Sequence, residues 1–119
     1  MLVVDDEPSI RLLCRVNLEL GGYAVLEADN LEEARRQLAG GGVSVMLIDV
    51  HVHGQDGRDL VRELRKQGTS MRIALITGTV DLSTAERAGA DAVLEKPFRL
   101  EQLLQVVQQL DARVDSRRK

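Results

Sequence analysis

A chain of 119 residues has the length of one domain and can bury a single continuous core without disulfides or metal staples. Its net charge of −3 and pI near 5.4 argue against a phosphate backbone as the main partner, and Tyr23 and Phe98 are too few aromatics for base stacking. Cys14 is the one cysteine, so no intrachain disulfide can form, and no apolar run approaches a membrane span. A reducing cytoplasmic setting is therefore the expectation.

From Leu2 to Val4 the chain reads as a short buried strand that ends in Asp5-Asp6-Glu7, with Pro8 suited to the first turn of a helix. A central strand usually has about five or six residues, so a start a few residues upstream would account for its shortness. Ile10 to Leu20 forms an amphipathic helix with Ile10, Leu13, Cys14 and Leu18 on one face and Gly21-Gly22 as its stop. Cys14 reads as a small core residue. Tyr23 to Ala28 is a second strand. Asn30 then opens a helix with Glu33 three residues on, a capping-box pattern, and Leu31, Ala34 and Leu38 form its buried stripe. Gly40-Gly41-Gly42 ends that helix and precedes a strand, the reverse of the order in which a glycine loop presents amides to phosphate.

Val43 to Ile48 is apolar on both faces of a period-two pattern, which suits a strand covered on both sides, and Asp49 stands at its carboxyl end. After Gly54 to Gly57 comes a helix capped by Asp56, with Leu60, Val61 and Leu64 facing inward and Gly68 as its stop. Arg72 to Thr77 is a fourth strand, Ser83 to Ala88 at most a short helix, and Ala92 to Leu94 a fifth strand leading into Glu95-Lys96-Pro97. The last helix runs from about Leu100, with Leu103, Leu104, Val107, Leu110 and Val114 at three-and-four spacing. Strands alternating with helices in this way predict an α/β fold, a three-layer sandwich with right-handed crossovers. Residues 1–115 are read as the domain and 116–119, with Arg117-Arg118-Lys119, as a basic tail or linker stub.

In such a sheet the polar residues at strand carboxyl ends share one edge, where ligands bind, and here these are Asp5, Asp6, Asp49, Thr77 and Lys96. Three adjacent carboxylates repel one another unless a cation sits among them, and hard oxygen donors favour Mg²⁺, with Mn²⁺ as its substitute. Lys96 adds a positive charge and Thr77 a hydroxyl. That set matches transfer of a phosphoryl group to a carboxylate, with Asp49 attacking while the cations neutralise charge on the phosphoryl oxygens.

Val-Val-Asp-Asp-Glu-Pro at 3–8, Leu-Ile-Asp at 47–49 with Asp56-Gly57 beyond, Thr77-Gly78, Ala-Gly-Ala-Asp at 88–91 and Lys-Pro-Phe at 96–98 together resemble the receiver domain of two-component response regulators. The resemblance covers essentially the whole chain. It implies a flavodoxin-like parallel sheet in order 2-1-3-4-5, Asp49 as phosphoacceptor, and Mg²⁺ held by Asp5, Asp6, Asp49 and the backbone carbonyl of His51. It further implies that Thr77 and Lys96 bind the phosphoryl oxygens and that Lys96-Pro97 is cis. The partners implied are a sensor histidine kinase or phosphotransfer protein as donor, and an output domain or downstream protein whose binding is switched. The domain is then a signalling element whose only chemistry is its own phosphorylation and dephosphorylation, with no direct contact to nucleic acid or membrane.

Departures from the family pattern restrict these implications. The loop after Asp49 usually holds proline four residues on, and His53 stands there, two residues after His51. Solvent-facing loop histidines are favoured over a His-x-His metal pair or pH sensor. His51 and Thr79 occupy places that flank the attacking water in the family and tune dephosphorylation. An aromatic residue usual three before the lysine is Val93 here, and eighteen residues separate Thr77 from Lys96, fewer than usual by about one helical turn. A shortened fourth helix and altered partner coupling on that face are expected. Two rivals compete with the receiver reading. One is a receiver fold that docks partners without phosphate, against which the intact site speaks. The other is a Mg²⁺-dependent phosphohydrolase with Asp49 as nucleophile and His51 as acid or base, which the missing substrate-covering insertion disfavours.

Overall fold

The computed structural model describes residues 1–78, 85 and 87–118, with side chains as far as Asp111. Thr79 and most of the expected 83–88 helix, together with its predicted shortening, lie outside the described residues, as does the side chain of Val114. Strands β1 (Leu2–Val4), β2 (Leu26–Ala28), β3 (Val45–Asp49), β4 (Arg72–Thr77) and β5 (Ala92–Glu95) form one sheet. All its pairings are parallel and the order is β2-β1-β3-β4-β5, as expected. Helices α1 (Pro8–Leu20), α2 (Leu31–Ala39) and α3 (Gly57–Lys66) and the C-terminal helix (Leu100–Arg118) cover it. Among the described residues no helix is long and apolar enough to cross a membrane.

Alternate residues of the central strands sort into two cores because successive side chains leave a strand on opposite faces. Leu2, Val4, Met46, Ile48, Ile73 and Leu75 pack with Leu31 and Ala34 of α2 and with Leu60, Val61 and Leu64 of α3. Val3, Val45, Leu47, Ala74 and Ile76 pack on the other face with Cys14 and Leu18 of α1 and with Leu103, Val107 and Leu110 of the C-terminal helix. Double coverage is why β3 and β4 read as unbroken apolar runs.

Pairing partners, more than local apolarity, decide where strands begin. β2 starts at Leu26, later than the expected Tyr23, because its neighbour β1 offers only Leu2, Val3 and Val4 as partners. β3 starts at Val45, where Arg72 is its first partner, and Val43 only packs against the core from outside the ladder. Leu13 departs from the expected buried stripe and is 42% exposed. Cys14 points at the sheet, and one residue along a helix turns the side chain about 100° away, so Leu13 instead lines an open hollow with Ile10, Pro97 and Phe98.

One element is absent from the sequence reading. His51–Val52 pairs antiparallel with Gln55–Asp56 through a turn at His53-Gly54. Their φ values of 48° and 74° follow the pattern of a type I′ hairpin turn, which needs positive φ at both central residues. α3 follows at once: Asp56 caps it, accepting from the Arg58 N–H at 2.9 Å. A Cβ on Gly57 would lie 2.1 Å from the Asp49 carbonyl oxygen, so glycine is required for the helix to start against the end of β3.

At the opposite edge Asp91 ties three elements together. Its carboxylate accepts from Arg65 at 2.8 Å, Arg72 at 3.1 Å and the Ile73 N–H at 2.9 Å, and Arg65 also donates to the Gly89 and Met71 carbonyls. Removing that shared acceptor leaves two largely buried guanidinium groups without their anion. Asp91→Ala is expected to lower the unfolding free energy by about 3 kcal/mol, read as a shift in urea midpoint at unchanged m-value.

Candidate functional site

The carboxyl ends of β1, β3, β4 and β5 deliver their polar residues to one edge of the sheet. Asp5, fully buried, follows β1, and its own N–H continues the ladder by donating to Ala28 O at 3.1 Å. Asp49 and Thr77 are the buried last residues of β3 and β4, and Lys96 follows β5 with its N–H donated to Thr77 O at 2.8 Å. Lys96-Pro97 is cis, as the resemblance implies.

The Lys96 ammonium donates a short hydrogen bond to Asp49 Oδ2. It also lies 3.2 Å from Asp5 Oδ2 and 3.6 Å from Glu7 Oε1. Each of the three aspartates has one carboxylate oxygen tied to a backbone N–H. Asp5 Oδ1 accepts from Glu7, Asp49 Oδ1 from His51 and Asp6 Oδ2 from His53, all at 2.9 Å. Asp5 Oδ2 is buried and accepts no hydrogen bond of acceptable angle despite the nearby ammonium.

These contacts shift proton affinities in opposite senses. Burial pushes the Asp5 carboxyl above the ordinary range; the Glu7 N–H and Lys96 oppose this, while the Asp49 charge reinforces it. For Lys96 burial is the largest influence and acts downward, but the hydrogen bond and charge of Asp49, with the nearby charge of Asp5, prevail and leave it raised. Cys14 is pushed up to about 11 by burial first and by Asp5 second, so the thiol stays protonated and inert.

Asp5, Asp6 and Glu7 each present a carboxylate oxygen within 4.8 Å of the others. Glu7 was not among the expected ligands, although the run of three acids after β1 was its signal. The buried Asp5 Oδ2, which has the Lys96 ammonium beside it but no hydrogen-bond donor, together with this hard-oxygen set fits a small divalent cation. Asp49 has one oxygen on Lys96 and the other on the His51 N–H. Among the expected modulators, His51 and His53 are exposed and meet the site through their backbone, while Val93 pairs with Leu75 and packs on the core. Thr79 lies outside the described residues.

Residues 1–108 match the response regulator receiver domain. The chain belongs to the response regulator receiver family. It is 38% identical over 122 residues to the transcriptional regulatory protein AruR of Pseudomonas aeruginosa, an alignment that spans 96% of this chain and 50% of AruR. The receiver domain of NtrX from Brucella abortus superposes with a TM-score of 0.84 at 30% identity, over 92% of this chain and 95% of that one. A response regulator from Burkholderia pseudomallei, solved with a phosphorylated aspartic acid, a calcium ion and citrate, gives 0.77 at 32% identity over 98% of this chain and 71% of that one. The receiver is a signalling domain of two-component systems, and receivers generally bind Mg²⁺ in an acidic pocket.

Because this receiver holds the Asp5 proton more tightly folded than unfolded, Asp5 favours the folded state at low pH, and that contribution is lost as pH rises from 3.8 through the raised folded value. At neutral pH without divalent cation, Asp5→Asn should therefore raise the melting temperature. Between about pH 4 and 7 the variant should also lose less stability than wild type in the same series of melts. A lower melting temperature for the variant would show that burial and the Asp49 charge do not make the ionised Asp5 destabilising.

Proposed function

We propose that Asp49 is the phosphoacceptor of this receiver, taking a phosphoryl group from the phosphohistidine of a sensor kinase or phosphotransfer protein. The observation that carries the reading is the buried Asp49 carboxylate at the end of β3, gripped by Lys96 on one oxygen and the His51 N–H on the other, beside the Asp5-Asp6-Glu7 cluster. Asp5 and Asp6, with Asp49 and the His51 backbone carbonyl, would hold Mg²⁺, with Mn²⁺ as substitute. When bound, the cation neutralises charge on the carboxylates and on the phosphoryl oxygens.

An Asp49 oxygen attacks phosphorus as the P–N bond of the donor breaks, and the departing imidazole takes up a proton. The Lys96 ammonium, released from the phosphorylated oxygen, follows the charge to the phosphoryl group. Thr77, on the neighbouring strand end, donates its hydroxyl to the same group. The two-state surface switched by these movements meets an output domain or downstream protein. The chain spans about half the length of AruR; within it residues 1–115 are the receiver and 116–119 a basic tail or linker stub. Self-catalysed loss of the phosphoryl group completes the cycle, and no other turnover is required of the domain.

Incubation with Mg²⁺ and a small-molecule phosphodonor should add one phosphoryl group to the intact mass of the wild-type chain, and none to Asp49→Asn or in the presence of a chelator. Sustained release of phosphate from assorted phosphoesters would support a hydrolase in its place, and no adduct on any variant a phosphate-independent docking module.

A further inference from the structure

Asp5 is met at every polar group it has. Its N–H donates to Ala28 O at 3.1 Å, its Oδ1 accepts from the Glu7 N–H at 2.9 Å, and its Oδ2 lies 3.2 Å from the Lys96 ammonium. Those partners come with strand pairing, with the turn after β1 and with the site itself. The carbonyl is served differently, by Arg11 Nη1 at 2.7 Å, from a side chain six residues on. Because Asp5 is fully buried, water cannot take the place of that donor. Arg11 is the fourth residue of α1, and a helical side chain leans toward the amino end of its helix, which carries the guanidinium back over the end of β1. A cation there opposes the helix macrodipole, so helix formation gives no reason for it. While Nη1 serves Asp5, Arg11 Nε lies 3.4 Å from Glu27 Oε1 on the edge strand β2, and the side chain is only 18% exposed. A planar fork reaches two acceptors in different directions at once, which a lysine ammonium does not reproduce. Arg15 shares Glu27, at 2.7 Å from Oε2, but is 46% exposed and, among the described residues, has no bond to Asp5.

We infer that Arg11 is a positioning residue for the cation site: by holding the Asp5 carbonyl it fixes the peptide plane between Asp5 and Asp6, from which both carboxylates project. The inference rests on the proposed Mg²⁺ site. The Asp5 carbonyl and the Asp6 N–H belong to one rigid plane, so a donor on the first restricts the backbone of both acids. Glu27 in turn orients Arg11. Groups that orient a metal's ligands typically change affinity by about 10–100-fold when removed. The charge of the guanidinium acts in the opposite sense, because a fixed cation near the acids repels a second one, and deleting it favours Mg²⁺. Positioning and charge are therefore told apart by the sign of the change.

The test uses the whole chain labelled with ¹³C and ¹⁵N. Arg11→Met keeps the apolar stem and removes the guanidinium; Arg15→Met removes the same charge and a partner of the same Glu27 without touching Asp5. Mg²⁺ titrations followed in amide spectra should show Arg11→Met weakened by about tenfold or more, and Arg15→Met within about twofold of wild type or tighter. The Asp5 carbonyl ¹³C resonance should move in Arg11→Met and stay in place in Arg15→Met. Phosphorylation of Asp49 by a small phosphodonor should need about tenfold more Mg²⁺ for half its maximal rate in Arg11→Met, a change that a general loss of stability does not produce. Arg11→Lys, which keeps the charge and loses the fork, carries the same titration if Arg11→Met does not fold, and it too should bind Mg²⁺ more weakly. Wild-type or tighter Mg²⁺ affinity in the Arg11 variants, an equal loss in Arg15→Met, or an unmoved Asp5 carbonyl overturns the inference while leaving the metal site standing. Failure of wild type to bind Mg²⁺ at all overturns the site and the inference together.

Discussion

The ammonium of Lys96, set between Asp49 and Asp5, is the interaction on which the rest of the site depends. Carboxylates at the buried ends of β1 and β3 are brought side by side by the pairing of Val4 with Ile48, and neither can turn away into water. Burial shifts a carboxylate toward its neutral form, as it does Asp5 even with Lys96 beside it. Lys96 starts two strands away, beyond β5, and its long stem carries the charge across the end of β4 to Asp49. That reach is possible because its own backbone is pinned to Thr77.

Backbone donors complete the arrangement. One oxygen of each aspartate is held by a backbone N–H, and the second oxygen of Asp5 and of Asp49 faces Lys96. The site is therefore built from strand ends and from the turns that follow them. Gly57, which lets α3 start against the Asp49 carbonyl, belongs to the same construction: any Cβ there would push the hairpin and helix off the end of β3. The clamp around Asp91 secures the far edge, where Arg65 joins α3 to the segment entering β5.

Much of this was legible beforehand. Apolar runs that stop at Asp5, Asp49, Thr77 and Lys96 mark strand ends whatever the pairing, since a doubly covered strand must be apolar and its end must not. Helix caps at Asn30 and Asp56 were readable because capping is a local bond between a side chain and an N–H at most three residues on. The exposure of Leu13 was less so, because a helix stripe wider than its contact area does not say which edge stays uncovered. Strand starts at Leu26 and Val45 depended on the length of neighbouring strands, information held elsewhere in the chain.

By itself the sequence determined which residues meet at the edge of the sheet, because hydrophobic periodicity sets where each strand ends and parallel crossovers bring those ends to one side. Only the tertiary structure decided how the charges there are shared. It turned Asp49 to Lys96, drew Glu7 into the acidic cluster and put the His53 N–H on Asp6 across 47 residues. Periodicity records burial, which is local and cumulative. A single hydrogen bond from a turn at positive φ leaves no such trace, because it depends on where two distant backbones come to rest.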